Sequence, residues 1–222
     1  MSNELLFVLE LIVVFGSLLL VKKFFGKHGL IAWVPIVAIL ANIQVCKQID
    51  LWGLSATLGN VLFASSFLAT DILSECYGKD TSKKAVYAGI GFMVFFLIIS
   101  QITLWFVPND FDMAQASLEG LFTLSMRTTA SSLVMYALAN IADVWLFHKL
   151  KDIMHGKKLW FRNNVATITC NCLENFGFIF LAFYGIMDVS DLLAISLTSC
   201  AIETIIALLD TPFLYIAKKI KD

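Results

Sequence analysis

Apolar residues run through this chain in seven long stretches, separated by short polar links. A helix needs about 20 apolar residues to cross the hydrocarbon core of a bilayer, and each stretch is about that long. The pattern therefore predicts an all-α polytopic membrane bundle of about seven transmembrane helices, a six-helix core with an added N-terminal helix, in a single integral membrane domain over residues 1–222. The predicted spans are about 5–24, 29–46, 54–76, 84–107, 126–147, 163–187 and 191–216.

The composition agrees with a membrane environment. Hydrophobic residues make up 59% of the chain and charged residues 15%, whereas soluble domains have about 45–50% apolar and about 25% charged residues. The first stretch follows a start without basic residues and precedes no small-residue cleavage site, so it is expected to be a retained helix rather than a signal peptide. A net charge of −1 provides no basic surface for nucleic acid. Membrane lipid is the expected partner and nucleic acid is not.

Basic residues fall in alternate links between the predicted spans, which sets the orientation because cytoplasmic links are enriched in lysine and arginine. The opposite links hold Lys47 alone, together with several acidic residues. The N-terminus is therefore expected outside and the C-terminus in the cytoplasm, across a bacterial inner membrane. The basic links contain Lys22, Lys23 and Lys27, then Lys79, Lys83 and Lys84, then Lys149, Lys151, Lys157, Lys158 and Arg162, and finally Lys218, Lys219 and Lys221.

Polar residues inside four of the spans recur at steps of three and four, so each span presents them on one helical face. Such residues in a membrane face the bundle interior or a wet cavity, since exposure to lipid costs several kcal/mol. The four faces are expected to line one cavity. They carry Asn60, Phe67, Asp71 and Glu75 in the third span, Thr129, Ser132, Tyr136, Asn140 and Asp143 in the fifth, Asn164, Thr167, Asn171 and Glu174 in the sixth, and Ser196, Ser199, Glu203 and Asp210 in the seventh.

Depth in the membrane divides these residues into two sets. Transporter substrate sites tend to lie near the midplane, which makes the central residues candidates for solute contact, with two aromatic rings that could stack on a flat solute. The cytoplasmic set is a candidate gate or proton-coupling site, although Asp71 and Glu75 could instead pair with loop lysines at the interface. The central set is Asn140, Asn171, Glu174 and Glu203 with Phe67 and Tyr136, and the cytoplasmic set is Asp71, Glu75, Asp143 and Asp210 near Arg162.

The five cysteines are scattered and form no CxxC pair. All five are interpreted as small apolar packing residues rather than disulfides or ligands. No cofactor and no metal is expected.

Residues 69–79 read Ala-Thr-Asp-Ile-Leu-Ser-Glu-Cys-Tyr-Gly-Lys, followed by Lys83-Lys84-Ala85. This segment resembles the signature of the queuosine precursor transporter family, also described as vitamin-uptake-transporter-like. The resemblance extends over about residues 30–218. Further matching positions are Asn42, Tyr136-Ala137-Leu138 with Asp143, Trp160 with Arg162-Asn163-Asn164, Glu174, and Asp210-Thr211-Pro212. The resemblance adds Asn42 to the candidate residues for substrate contact.

The resemblance implies import of 7-deazaguanine-type bases, which are salvaged to make the tRNA nucleoside queuosine. A guanine-like ring presents adjacent N–H donors that one carboxylate can accept. Glu174 or Glu203 is the expected acceptor, assisted by Asn171 and Asn140. Which of the cyano, aminomethyl or finished bases is preferred stays open.

The energy source is narrowed by motifs that the sequence lacks. It contains no GxxxxGK[ST] phosphate-binding motif, so ATP hydrolysis by that route is not expected. A stand-alone carrier, coupled to protons through Asp71, Glu75 or Asp143, is favoured. The alternatives are a substrate-binding subunit of an energy-coupling-factor importer and an intramembrane enzyme. The sequence lacks the AxxxA pair typical of energy-coupling-factor subunits, which argues against an energising ATPase module. It also lacks the enzyme motifs HExxH and GxSxG. A homodimer stays open.

Overall fold

A computed structural model describes residues 2–122 and 126–220. Five of its helices are long and apolar enough to cross a membrane. The all-α polytopic bundle predicted from the sequence is confirmed. The elements are α1 (Asn3–Gln44), β1 (Gln48–Leu51), β2 (Leu54–Thr57), α2 (Asn60–Cys76), α3 (Lys79–Trp105), α4 (Gln115–Phe122), α5 (Met126–Ile153), α6 (Leu159–Phe183) and α7 (Val189–Lys219).

Helix α1 is a hairpin of two helical arms rather than one straight rod. Gly26 interrupts it with a positive φ of 54° and a ψ of −139°. The Nε2 atom of Gln44 donates to the Oε1 atom of Glu10 at 2.8 Å, although 34 residues of straight helix would separate them by about 50 Å. The arms, 3–25 and 27–44, therefore run antiparallel. Together with α2, α3, α5, α6 and α7 they make seven helical segments.

A short β-hairpin precedes α2, so this helix begins at Asn60, six residues later than the predicted start at 54. The turn at Trp52 and Gly53 has positive φ at both residues, 50° and 77°, as tight hairpin turns require. Gly59 then turns the chain into α2 with φ 103°, and a Cβ there would lie 2.9 Å from the Ala41 carbonyl oxygen. Hairpin and helix start are therefore tied to the end of α1.

Helix α2 is the centre of the bundle. Thirteen of its seventeen residues are buried, and it packs against α1, α3, α5 and α7. The main apolar core, which includes Leu68 and Ile72, forms around it. The other helices turn large apolar side chains outward, as a lipid-facing surface requires. The signature residues 69–76 thus lie on the most enclosed helix.

Lys22 closes one end of the bundle. Its Nζ atom donates to the carbonyl oxygens of Ala217, at 2.7 Å, and Ile220, at 2.9 Å, and lies over the ring of Tyr77. The side chain is buried, so the expectation that Lys22 belongs to a loop was wrong. A lysine placed at the last carbonyls of a helix compensates both their unpaired oxygens and the negative end of the helix dipole.

The opposite end of the bundle is closed by Arg127 in a similar way. It donates to the carbonyl oxygens of Leu181, at 2.7 Å, and Tyr184, at 2.8 Å, where α6 ends. The end closed by Lys22 carries most lysines, and we call it the basic end. Because the helices alternate in direction, this end contains the starts of α3 and α6 and the ends of α2, α5 and α7.

The cysteines differ from the prediction. Cys172 and Cys200 form a disulfide that joins α6 to α7, because helix packing brings their Cα atoms to 5.2 Å. Cys170 is buried as predicted, whereas Cys46 and Cys76 are exposed. Cys172 lies two positions after Cys170 and therefore on a different face of α6. The sequence spacing alone did not show that this face meets Cys200 of α7.

Candidate functional site

Four charged residues from four helices meet at the basic end. The Glu75 carboxylate on α2 contacts Arg162 of α6 at 2.9 Å, Lys151 of α5 at 3.0 Å and Lys218 of α7 at 2.6 Å. We call these residues the Glu75 cluster. The sequence predicted Glu75 and Arg162 at this end and left pairing with loop lysines open. The lysines that pair with Glu75 instead lie on helices α5 and α7.

Arg162 is the most enclosed member of the Glu75 cluster, with 0% of its surface exposed. Its guanidinium lies 5.0 Å from the centre of the Phe147 ring, and its Nη2 atom also donates to the Gly156 carbonyl oxygen at 3.3 Å. A charge that is buried so completely needs its counter-charge, because losing the partner leaves an unpaired ion in a medium of low polarity. The Glu75–Arg162 pair therefore holds α2 and α6 together at the basic end.

Three fully buried aspartates lie in the interior of the helix bundle: Asp71 on α2, Asp143 on α5 and Asp210 on α7. We call them the aspartate layer. Asp71 accepts a hydrogen bond from the Thr167 hydroxyl at 3.2 Å, and Asp210 accepts one from the Asn163 amide at 2.9 Å. Within residues 2–122 and 126–220, no group donates a hydrogen bond to either oxygen of Asp143. The prediction placed Asp71, Asp143 and Asp210 together with Glu75, and the structure brings all four towards one another.

The charges of the aspartate layer are poorly compensated. The charged neighbours of Asp71 are Asp143, Asp210 and Arg162, and Arg162 is already paired with Glu75. One oxygen of Asp71 and one of Asp210 also accept no hydrogen bond from the described residues. Burying a carboxylate without a partner costs several kcal/mol, a cost that a bound proton removes. Among the described residues no group of three His, Cys, Asp or Glu side chains is arranged to hold a metal.

The central polar residues lie on α6 and α7, further from the basic end than the aspartate layer. Glu174 and Glu203 are partly exposed and interact electrostatically with each other. The Asn175 amide donates to Glu203 at 2.7 Å, while Glu174 accepts no hydrogen bond from the described residues. Asn171 is buried and no described residue donates to its side-chain oxygen. Glu174 and Asn171 therefore both offer acceptor oxygens to a ligand, and Asn175 is a partner of Glu203 that the sequence analysis did not assign.

On the side of α5, the predicted residues have different surroundings. Asn140 donates to the Tyr136 carbonyl oxygen at 2.9 Å, and no described residue donates to its own side-chain oxygen. Tyr136 is buried with its hydroxyl against Gly89 of α3, in the neighbourhood of Glu174. Phe67 packs in a small apolar cluster between α2, α5 and α6. In this conformation Phe67 is a packing residue, whereas Tyr136 reaches both the centre and α3.

A cavity lies near the end opposite to the basic end. It has a volume of about 430 Å³ and is bounded by the end of α1, the second half of α3, α4 and the start of α5. Of the predicted substrate residues only Asn42 lines it. A narrow cleft shares Asn42 and Thr129 with this cavity and extends to Tyr136. The cavity is also lined by two aromatic and two polar side chains: Phe96, Phe122, Ser100 and Gln101.

Sequence reasoning missed this cavity because its α3 wall carries no polar face. The signal that could have revealed it is the pair Ser100-Gln101 within an otherwise apolar span. Gln101 donates to the Phe122 carbonyl oxygen at 2.9 Å, and the rings of Phe96 and Phe122 meet edge to face at 5.8 Å. Both contacts fix the end of α4 over the cavity.

Comparisons with known proteins place these residues in context. A profile described as putative vitamin uptake transporter matches residues 57–217. The chain is 34% identical over 220 residues to a probable queuosine precursor transporter of Bacillus subtilis (strain 168), covering 99% of this chain and 96% of the relative. It is 24% identical over 168 residues to the queuosine precursor transporter of Escherichia coli (strain K12), covering 73% and 72%. No solved structure gives a significant match.

Proposed function

Because the chain belongs to the putative vitamin uptake transporter family, we propose that it imports queuosine precursors, 7-deazaguanine-type bases, for salvage into tRNA. The observation that carries the substrate is the 34% identity to a probable queuosine precursor transporter along almost the whole of both chains. The relatives are named as transporters, and the chain accordingly is a multi-pass membrane transporter rather than an enzyme.

The proposed location is the bacterial inner membrane, with the basic end in the cytoplasm. Lys149, Lys157, Lys158 and Lys219 lie at the same end as the Glu75 cluster, and the positive-inside rule assigns such an end to the cytoplasmic side. The N-terminus of α1 and the β-hairpin then lie outside. In this orientation the 430 Å³ cavity faces the outer solution.

The base is proposed to bind at the centre, where Glu174 accepts its adjacent N–H donors. Glu174 is preferred to Glu203 because Asn175 already occupies one Glu203 oxygen at 2.7 Å. The free side-chain oxygens of Asn171 and Asn140 can accept further donors from the ring edge. Tyr136 supplies an aromatic face beside Glu174.

The transport cycle is proposed to alternate between two closures. An outer cavity together with a paired Glu75 cluster describes an outward-facing state, closed at the cytoplasmic side by Glu75 and Arg162. Release of the base then requires α2 and α6 to separate at that end, which breaks this ion pair. In many helical transporters the substrate binds at the centre, and helical elements rock around this site to open it to one side of the membrane at a time.

Proton coupling through the aspartate layer is proposed as the energy source. Asp143 is buried with both oxygens unpaired, so its carboxyl group has a lower free energy in this state with a proton than without one. Opening of the basic end would expose the layer to the cytoplasm and release that proton. The cycle would then move base and proton inward together.

The test is uptake by bacteria that cannot synthesise queuosine precursors and lack their own importer. Cells that express this chain are supplied with each of the cyano, aminomethyl and finished bases, and queuosine in tRNA is measured. We expect queuosine to appear with at least one of the three at low external concentration. Absence of queuosine with all three, despite protein in the membrane, would overturn the substrate proposal, and uptake unaffected by a protonophore would overturn proton coupling alone.

A further inference from the structure

The 430 Å³ cavity has the features of a binding site rather than of a packing defect. Small-molecule sites typically have volumes of about 300–1,000 Å³, apolar walls and a few fixed polar groups. Here the apolar walls include Phe96 and Phe122, whose rings meet at 5.8 Å. The polar groups are supplied by Asn42, Gln101 and Thr129. This mixture suits a flat heterocycle, whose faces are apolar and whose edges carry donors and acceptors.

Two of the polar groups are fixed by contacts of their own. The Asn42 amide donates to the Ala38 carbonyl oxygen at 3.0 Å, which orients the side chain, and its oxygen accepts no hydrogen bond from the described residues. Gln101 is held by its bond to the Phe122 carbonyl oxygen at 2.9 Å. Polar groups held in place before a ligand arrives lose less conformational freedom on binding.

The cavity also leads towards the centre of the protein. Asn42 and Thr129 line both the cavity and the narrow cleft beneath it, and the cleft ends at Tyr136. Glu174 is one of the charged groups in the neighbourhood of Tyr136. The cleft itself holds little free volume, about 10 Å³, so a ligand in the cavity is separated from Glu174 by the Tyr136 side chain. Cavity and centre are therefore two consecutive positions on one path.

We propose that this cavity is an outer binding site where the transported base is held against the rings of Phe96 and Phe122, with Asn42 and Gln101 at its edges, before it passes Tyr136. The inference rests on the proposed function for the identity of the base. The end of α4 covers the site, where the Cys46 thiol also contacts the Leu121 carbonyl oxygen at 3.7 Å. Passage of the base from this site to the centre then requires movement of Tyr136, which lines the cleft below the cavity.

Protection from chemical labelling tests the site directly. Thr129→Cys is made in a Cys46→Ser background, because Cys46 is exposed beside the cavity. A membrane-impermeant maleimide is added outside vesicles whose outer face is the outer face of the cell, with and without 7-cyano-7-deazaguanine. At a base concentration about ten times its dissociation constant, occupancy should slow labelling of Cys at 129 about tenfold. Val107→Cys, which is exposed beyond α3 and outside the cavity, should show no slowing.

A second variant checks the site without cysteine chemistry. Ala130→Trp fills the cavity from its α5 wall, and Leu138→Trp places the same side chain on the lipid-facing surface of α5. Uptake at low base concentration should fall about tenfold in the first variant and stay at the wild-type rate in the second.

The outcomes separate this inference from the proposed function. Unprotected Cys at 129, or equal uptake by the two tryptophan variants, overturns the outer site if the wild-type protein transports the base. If the wild-type protein transports none of the three bases, the proposed function fails and this assignment of a ligand fails with it.

Discussion

The Nη2 atom of Arg162 donates to the Oε2 atom of Glu75 at 2.9 Å across 87 positions of the chain. Lys151 and Lys218 join the same carboxylate, but they are 29% and 50% exposed, whereas Arg162 has no exposed surface. A partly solvated ion pair is screened by water, and a buried one is not. Of the three ion pairs of Glu75, the pair with Arg162 between α2 and α6 is therefore the one whose loss is most costly.

Replacing Glu75 by Gln should destabilise the protein strongly. Removing one partner of a buried ion pair costs about 3–5 kcal/mol, because the other charge stays buried without compensation. Lys218→Met is the matched control, since an exposed ion pair contributes about 0–1 kcal/mol. Thermal unfolding of both variants in the same detergent measures the difference. Equal melting temperatures of the two would show that Arg162 does not depend on Glu75.

Asp143→Asn should separate coupling from binding. The amide has the shape of a protonated carboxyl group, so the bundle should fold normally, yet it cannot release a proton. In proteoliposomes we expect the variant to exchange internal for external base but to lose accumulation driven by an imposed pH gradient. Asp152→Asn, an exposed change at the end of the same helix, should behave as wild type. Gradient-driven accumulation by the Asp143 variant would exclude this carboxyl group as the proton carrier.

Glu174→Gln should weaken binding of the base. A hydrogen bond to a charged group contributes about 1.5–3 kcal/mol, which corresponds to about a 10- to 100-fold rise in the dissociation constant. Glu203→Gln should change the dissociation constant less, because its amide oxygen can still accept from Asn175. Equilibrium binding to purified protein gives both constants. A larger loss in the Glu203 variant would transfer the binding role to that residue.

Lys22→Met should lower the free energy of unfolding by about 1–3 kcal/mol, since two buried carbonyl oxygens at the end of α7 lose their donor. Lys23→Met, one position further along and exposed, should have almost no effect. Detergent melting curves of the two variants report the comparison, and a Lys22 variant as stable as the Lys23 variant would contradict the capping role.

Gly59→Ala should destabilise the junction between α1 and α2. The residue has a positive φ, and an added Cβ would lie 2.9 Å from the Ala41 carbonyl oxygen. Gly53→Ala has the same kind of backbone strain without any atom within 4 Å, so the difference between the two variants isolates the close approach. We expect the Gly59 variant to melt at the lower temperature. Equal melting temperatures would show that the junction between α1 and α2 accommodates the added Cβ without strain.

The bundle was predictable because each helical segment carries its own apolar length and its own polar face. Asp71 and Glu75 could be assigned to one face of one helix from spacing alone, and the structure places both in the interior. Their partners could not be assigned in this way, because Thr167 and Arg162 lie more than 85 positions away. Pairing between helices depends on their rotation and depth, which one sequence does not fix.

Two local features escaped prediction for different physical reasons. The β-hairpin has a Trp52-Gly53 turn, which carries one glycine but not the Asn-Gly or Asp-Gly pair that usually marks such turns. The large cavity is formed mainly by side chains that are apolar, such as Phe96 and Phe122, and these residues look like ordinary lipid-facing or packing residues in sequence. Only the approach of α4 to α3 gives them a shared surface.

The hydrogen bonds from Lys22 to the last turn of α7 also order the biogenesis of the protein. The lysine is synthesised before its acceptors Ala217 and Ile220, which lie 195 and 198 positions later in the chain. Until α7 has been made the ammonium group lacks these carbonyl oxygens, so the first helical arm enters the membrane without this neighbour. Ribosomes that stop before residue 217 therefore leave a chain whose first hairpin cannot be sealed, and such truncated products should be the preferred substrates of membrane quality-control proteases.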